Sequence, residues 1–325
     1  MANIKRIDYE EFRPFLESLN LVSVSSEWTD FVRARFGAKP CHFGVFENGR
    51  LNFIIPVFET PAKELIGVPK LYTEIVAYDA SGKTPLADIL TFFRKDRNFD
   101  STKLSICPVL DSRFSDIAQK EGLQLGGLAH ILELAATEED EILAKVIGHK
   151  TRNQILASYK RGNFNVSVGQ DINEFYKIYL ASIKRLKSIP KELEFFTDLE
   201  KSFKGNLQII FAYHGSAPAG ANLVLIKNKY LHLMFNVSNV EFFKDYVNDF
   251  LYWETIKFGL ARGIEIFDFG PSSVRDKSHH HFKEGFGAKP VPIYNFTHYN
   301  SFDYRLRDFV FRKARNLRLK LNKLF

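Results

Sequence analysis

The sequence predicts an α/β protein, a mixed α+β sheet flanked by helices and assembled from a duplicated unit. The duplication is read from two stretches. SSEWTDFVRARFGAKPCHFGVFENGRLNFIIPVF (25–58) gives helix, break, strand, Asn48-Gly49 turn and strand. ELEFFTDLEKSFKGNLQIIFAYHGSAPAGANLVLI (192–226) repeats that order. In the first, 12 positions separate Phe36 from Asn48, and in the second, 12 separate Phe203 from Gly215. Asn-Gly between apolar runs is a strong hairpin signal, because both residues accept positive φ, and Gly215-Ser216 is a weaker version of it.

The remaining elements follow from periodicity and punctuation. Asp171 caps a helix, with Glu174 in the capping-box position. Ile172, Phe175, Tyr176, Tyr179, Ile183 and Leu186 then fall on one helical face. Ser188-Ile189-Pro190 ends that helix, and Pro190 suits the first turn of the next. A hairpin of 207–213 with 219–227 follows, then a strand over Lys229–Asn236 and a helix from Val247 to Arg262 stopped by Gly263. The continuous apolar run Ile264–Phe269 predicts a buried strand ending at Gly270, and Val291–Tyr299 a last strand. The expected domains are 1–140, 141–300 and a C-terminal basic helix over 301–325.

Composition narrows the function classes. The hydrophobic share of 45% and charged share of 26% are globular values. Two cysteines without CxxC spacing argue against a structural zinc site and point to a reducing compartment. The N-terminal MANIKRIDYEEF has no apolar core of the kind a secretion signal needs, and no run of about 18 apolar residues occurs. The expectation is a cytoplasmic protein. Of the net charge of +7, residues 301–325 carry +6, from eight Lys/Arg against two Asp. A nearly neutral body with a basic tail differs from the spread charge of a general nucleic-acid binder. Within the tail, Leu306, Val310, Ala314, Leu317, Leu321 and Leu324 recur at helical spacing among the basic residues. That pattern suits an anionic membrane surface on the inner face, a tRNA backbone, or docking on the protein's own body.

The chemistry candidates cluster in FDFGPSSVRDKSHHHFKEGFGAKP (267–290). Three consecutive histidines, His279 to His281, point in different directions on a helix or strand, so they do not converge on one metal ion. They read as a polar loop, with a proton-accepting role for one of them as the alternative. Neither GxxxxGK[ST] nor a strand-linked GxGxxG occurs, and no GxSxG elbow or Cys/His pairing suggests a covalent intermediate. Lys283 is the sharper candidate. It follows a buried strand in a Gly-flanked segment, where open sheets form their sites, and it offers a charge for a developing oxyanion. The segment 271–288 is expected to be a loop closing over the site.

Five motifs in order resemble those of the FemAB-like branch of the GNAT acyltransferase superfamily. This branch includes peptidoglycan-bridge aminoacyltransferases and exopolysaccharide-associated acetyltransferases. KTRNQILASYKRGNFNV is similar to its Arg-Asn helix ending in Lys-x-Gly, and FYKIYLASIKR to its helix with Ser or Thr three residues before Arg. VNDFLYWE resembles its Pro-Asn-x-x-Leu-x-Trp-Glu helix start with Val247 in place of proline. FDFGPSS resembles Phe-Asp-Phe-Gly-Arg-Ser with Pro271 in place of arginine, and FKEGFGAKP its Phe-Lys loop.

The resemblance implies tandem GNAT-like domains and transfer of an acyl or aminoacyl group to an amine or hydroxyl. It assigns Lys283 to charge neutralisation and puts Glu254 in the pocket lining, with general base as one reading of its role and an ordinary salt-bridge partner as the other. Ser182, Arg185, Asn248, Trp253, Asp268, Ser272 and Phe282 fall at substrate-binding positions, with Arg185 suited to an acceptor phosphate or carboxylate. No bound cofactor or metal is implied. The donor is acyl-CoA or acyl-carrier protein, with aminoacyl-tRNA as the alternative, because the usual GNAT pyrophosphate loop is missing. The acceptor is a small-molecule or lipid-linked envelope precursor. A non-catalytic module on a membrane surface is the further alternative, supported by the change at Pro271.

Overall fold

The computed structural model describes residues 3–67, 76–77, 86–107, 118–134 and 138–324. Within these it describes all side chains except those of 76–77, 315, 316 and 318–324. The chain forms two compact units. The first comprises 1–19, 23–129 and 291–316, and the second 20–22, 130–290 and 317–325.

In the first unit, helix α1 (Tyr9–Ser18) follows strand β1 (Asn3–Arg6), and α2 (Ser26–Phe36) is capped by Ser25, whose hydroxyl accepts from the Trp28 amide. Gly37, at φ +62°, closes α2 in the left-handed conformation that glycine adopts without strain. Strands β2 (Lys39–Pro40), β3 (Phe43–Glu47) and β4 (Arg50–Ile55) follow. Asn48 and Gly49 both hold positive φ between β3 and β4, as the Asn-Gly signal requires. With β5 (Phe58–Glu59), β6 (Glu64–Ile66), β7 (Val76–Ala77), α3 (Leu86–Lys95) and β8 (Ser101–Ile106), the unit holds one sheet of order β1-β3-β4-β7. A second run pairs β8 with β6, β6 with β5, and β5 with β2. Phe43, Phe53, Leu90, Phe93 and Phe296 meet in its core, and both cysteines are buried thiols.

The second unit contains the end of β9 (Gln124–Glu133), α4 (His149–Ala157), β10 (Phe164–Gly169), α5 (Ile172–Arg185) and α6 (Leu193–Phe203). Next come β11 (Leu207–His214), β12 (Ala217–Lys227), β13 (Tyr230–Ser238), α7 (Val247–Ala261), β14 (Ile266–Asp268) and α8 (Lys277–Gly285). Its sheet runs β10-β11-β12-β13-β14-β9, antiparallel except for β13 and β14. A parallel pair needs a crossover, and α7 supplies it. The helix, strand, turn, strand order of α2-β3-β4 recurs as α6-β11-β12, which is the duplication expected. Strand β15 (Lys289–Tyr299) pairs with β8 through Tyr294–Tyr299, and α9 (Phe302–Leu324) ends the described chain.

Several local expectations are corrected. Glu174 does not return to the cap of α5: Asp171 accepts its amide, but its carboxylate accepts a 2.8 Å bond from the Tyr213 hydroxyl. The buried face of α5 is Ile172, Phe175, Ile178, Tyr179 and Ser182, and Leu186 lies past the helix end, exposed. Pro190 does not open α6, which begins at Leu193.

The segment 271–288 is a loop only at its ends, because Lys277–Gly285 form α8. Asp276 caps α8 by accepting the His279 amide, and Phe282 and Phe286, one turn apart, pack on Tyr252 of α7. The apolar pair gives the segment a helical face, and this outweighs the glycines that suggested a bend. Gly285 lets α8 approach α4, where its carbonyl accepts from the Gly148 amide at 2.9 Å. A Cβ on Gly285 would overlap Thr151 Oγ1. Gly285→Ala is therefore expected to lower stability by about 1–3 kcal/mol in urea unfolding. Most of that added cost should vanish in a Thr151→Ala background, where the overlapping oxygen is gone.

Candidate functional site

Strand β14 ends at Asp268, and the chain leaves through Phe269, Gly270 and Pro271, outside the carboxyl end of the strand where open sheets collect ligands. Gly270 holds φ +73°, and a Cβ there would stand 3.0 Å from the Leu233 carbonyl. Only glycine turns the chain at this point without strain. The turn lets its amide donate to Asp268 Oδ1 at 2.8 Å while its carbonyl faces α8.

Lys283 meets that carbonyl. It lies on α8 with 6% of its surface exposed, and its Nζ donates to Gly270 O and to Ser272 Oγ, each at 2.8 Å. An ammonium has three N–H donors, so one is left for a ligand by these described bonds. Burial pulls the Lys283 pKa down to about 8, while Asp268 and Asp276 oppose that pull. Asp268 accepts from the Tyr230 hydroxyl at 2.8 Å and lies 2.7 Å from His232 Nδ1. Burial raises Asp268 to about 7, against the pull of the Gly270 amide and Lys283, and it lowers His232 to about 3, helped by the Lys283 charge.

On the same helix the three histidines diverge. His279 is exposed and pairs with Asp276 at 2.8 Å, and His281 is exposed. His280 is buried, its ring stacked on His130 of β9 with centroids 5.1 Å apart. The reading of the run as a polar loop is corrected here, because α8 turns one imidazole inward. Among the described residues no group of three or more His, Cys, Asp or Glu is placed to hold a metal ion.

The structure brings Asp268, Ser272 and Lys283 together. Phe282, beside Lys283, edges onto Tyr252 at 5.0 Å and Phe286 at 5.3 Å, forming an apolar wall with Phe269. Trp253, on α7, is part of the buried core. Glu254 accepts from the Tyr159 hydroxyl and pairs with Lys257 at 2.8 Å. Asn248 is half-buried, and its Oδ1 has no partner among the described residues.

Ser182 ties α5 to β13, donating to the Ser238 carbonyl and accepting its amide. Arg185 is exposed with its guanidinium over the Phe243 ring at 5.0 Å. Sequence reasoning missed His130, Tyr230 and His232. Their signal was a polar ring in each of the apolar runs LAHILEL and KYLHLMF, which reads as ordinary strand alternation until a partner strand is known.

Residues 149–284 match the acetyltransferase (GNAT) domain family, a span that includes Lys283 and lies within the second unit. No curated protein matches the chain. Among solved structures, FemX is similar at TM-score 0.65 and 14% identity, over 90% of this chain and 96% of that one. A tandem GNAT protein from the clavulanic acid biosynthesis pathway gives 0.52 at 11% identity, over 91% and 98%. A C-terminal domain assigned to a lysylphosphatidylglycerol synthetase of Agrobacterium fabrum gives 0.55 at 16%, over 92% and 93%. At these identities the likeness is one of fold, a tandem GNAT architecture.

The buried ammonium has a measurable linkage. Lys283 has a lowered pKa in the folded protein, near 8 against 10.5 for the free group, so between those values the unfolded chain binds more protons. Its share of stability therefore rises with pH across that window. The stability of the natural protein relative to Lys283→Met should increase by about 2–3 kcal/mol between pH 8 and 10.5. Paired urea titrations check this, and a constant difference would remove the shifted ammonium.

Proposed function

Taking residues 149–284 as a GNAT domain and the chain as an acyltransferase, we propose that Lys283 stabilises the oxyanion formed when an acceptor amine or hydroxyl attacks an acyl donor. The observation that carries this reading is a buried ammonium with two anchored N–H groups and a third unassigned, at the end of β14. A charge held out of water interacts strongly with a developing oxyanion and needs little reorganisation as the reaction proceeds. The donor is a thioester, acyl-CoA or an acyl-carrier protein, and the acceptor is a sugar or lipid precursor of the cell envelope.

Phe282 and Ser272 line the donor end, and Asp268 holds the Gly270 turn that positions Lys283. Arg185 meets an acceptor phosphate or carboxylate, Asn248 offers the substrate its Oδ1, which has no partner among the described residues, and Trp253 supports the wall. Glu254, tied to Tyr159 and Lys257, is read as a pocket residue acting on the ligand through Tyr159. A second reading, aminoacyl transfer from charged tRNA, is favoured by the fold likeness to FemX and to the lysylphosphatidylglycerol synthetase domain.

Intact-mass screening of incubations with several acyl thioesters and with charged tRNA separates these donors. Lys283→Ala is expected to lower kcat by about 100-fold or more while the fold is kept. Near-normal turnover would remove the assignment. Transfer should also decline above about pH 8 as Lys283 loses its proton, and Lys283→Arg should abolish that decline if it retains turnover.

The C-terminal helix supports a membrane contact at an anionic inner surface. Within the first unit, helix α9 meets β8 and β15 through polar groups: Asp308 pairs with Lys103 at 3.0 Å and accepts from the Tyr299 hydroxyl. Phe302, Leu306, Phe309, Val310 and Leu317 recur at three-, four- and seven-residue spacing, and each is more than half exposed, 53% or above. The amphipathic helix thus turns its apolar stripe outward, with basic residues around it. No helix among the described residues is long and apolar enough to cross a membrane. Cosedimentation with phosphatidylglycerol-rich vesicles but not with phosphatidylcholine vesicles is expected. Leu306→Ser with Phe309→Ser should reduce it at least tenfold, and equal binding to both vesicle types would exclude the contact.

A further inference from the structure

Resting on the acyl-transfer reading, we infer that His130 accepts the proton of the attacking acceptor and that His280 carries it to the protein surface. His130 is fully buried on β9, and its ring stacks on His280 with an interplanar angle of 26°. The facing nitrogens, His130 Nε2 and His280 Nδ1, are 3.3 Å apart. The outer nitrogen of His280 lies 2.9 Å from the Ser273 carbonyl, which only accepts, so His280 Nε2 carries hydrogen.

In neutral His280 the Nδ1 atom is therefore an acceptor, and His130 Nε2 must donate to it. That order leaves His130 Nδ1 as a bare lone pair. Among the described residues it has no hydrogen-bond partner, and it is buried. A buried unpaired acceptor carries a cost that a ligand N–H or O–H would remove.

The chemistry of the pair explains why two imidazoles are needed. Burial and the Lys283 charge hold the His130 pKa down to about 4, so His130 is a poor final home for a proton. When the acceptor atom attacks the acyl carbon, its proton passes to His130 Nδ1 while the Nε2 proton passes to His280 Nδ1. The carbon–acceptor bond forms, the carbon–sulfur or carbon–oxygen bond to the donor breaks, and the leaving atom takes its electron pair and then a proton from water. His280 is left with both nitrogens protonated, one of them on the Ser273 carbonyl, near the Asp276 carboxylate, and it releases the proton to solvent.

The charged groups around the relay are Asp276 and Lys283 on α8. Asp268 and His232, on β14 and β13, act on Lys283 from the strand side. His279 on Asp276 completes the exposed end.

The test has one arm that needs no turnover. Long-range proton–nitrogen correlation spectra of histidine-labelled protein should show His130 protonated at Nε2 and bare at Nδ1, and the reverse tautomer overturns the relay. In the second arm, His130→Phe and His280→Phe each lower kcat by about 100-fold or more with KM within about threefold. His280→Phe keeps a stacking ring, so the melting temperature should be held while the solvent deuterium isotope effect on kcat falls from that of the natural protein. Loss of kcat with an unchanged isotope effect would mean a structural role and overturn the inference. Transfer that survives in His130→Phe removes this relay alone, whereas absence of transfer from every donor removes the acyl-transfer reading together with it.

Discussion

A lysine ammonium taken out of water must find partners, and the arrangement of the second unit around Lys283 is set by that requirement. Helix α8 brings the charge to the end of β14, where a backbone carbonyl and a serine hydroxyl receive two of its protons. The carbonyl is available because Gly270 adopts a conformation other residues resist, beneath the Leu233 carbonyl. The Gly270 amide in turn is held by Asp268, and Asp268 by Tyr230. Each group is buried, so the removal of one leaves another without its partner. This is how a strand of three residues governs the position of one charge.

The aromatic content of the chain serves the same end. Phe269, Tyr252, Phe282 and Phe286 form a wall of rings against α8. The wall packs against the apolar side of the helix, and Lys283 and His280 are its buried polar side chains. Rigid rings give area at low conformational cost, which suits a site that must be preorganised. Helix α9 uses the opposite logic. Asp308 bonds to Lys103 and Tyr299, while Phe302, Leu306, Phe309, Val310 and Leu317 remain exposed.

Much of the architecture was legible beforehand, for identifiable reasons. The hairpins at Asn48-Gly49 and Gly215-Ser216 were readable because positive φ demands particular residues. The Lys283 segment stood out through motif order and its place after a buried apolar run. Helix α8 was misread because its glycines suggested a bend, while the pairing that makes it a helix, Phe282 and Phe286 on Tyr252, lies across the fold. His130 and His232 were invisible for the same reason. A histidine in an apolar strand has no sequence mark that tells a packed ring from one with a job.

The sequence by itself determined the two hairpins, the strands over 229–236, 264–269 and 291–299 and the duplication, since these depend on local backbone preference and on the spacing of apolar residues. Motif order marked which lysine to examine. Only the tertiary structure decided that Lys283 is buried, that His280 turns inward onto His130, that Glu254 faces Tyr159 and Lys257, and that the apolar stripe of α9 points outward. The physical reason is that burial and partnership are properties of residues far apart in the chain. His130 and His280 are separated by 150 positions, and no local rule couples them.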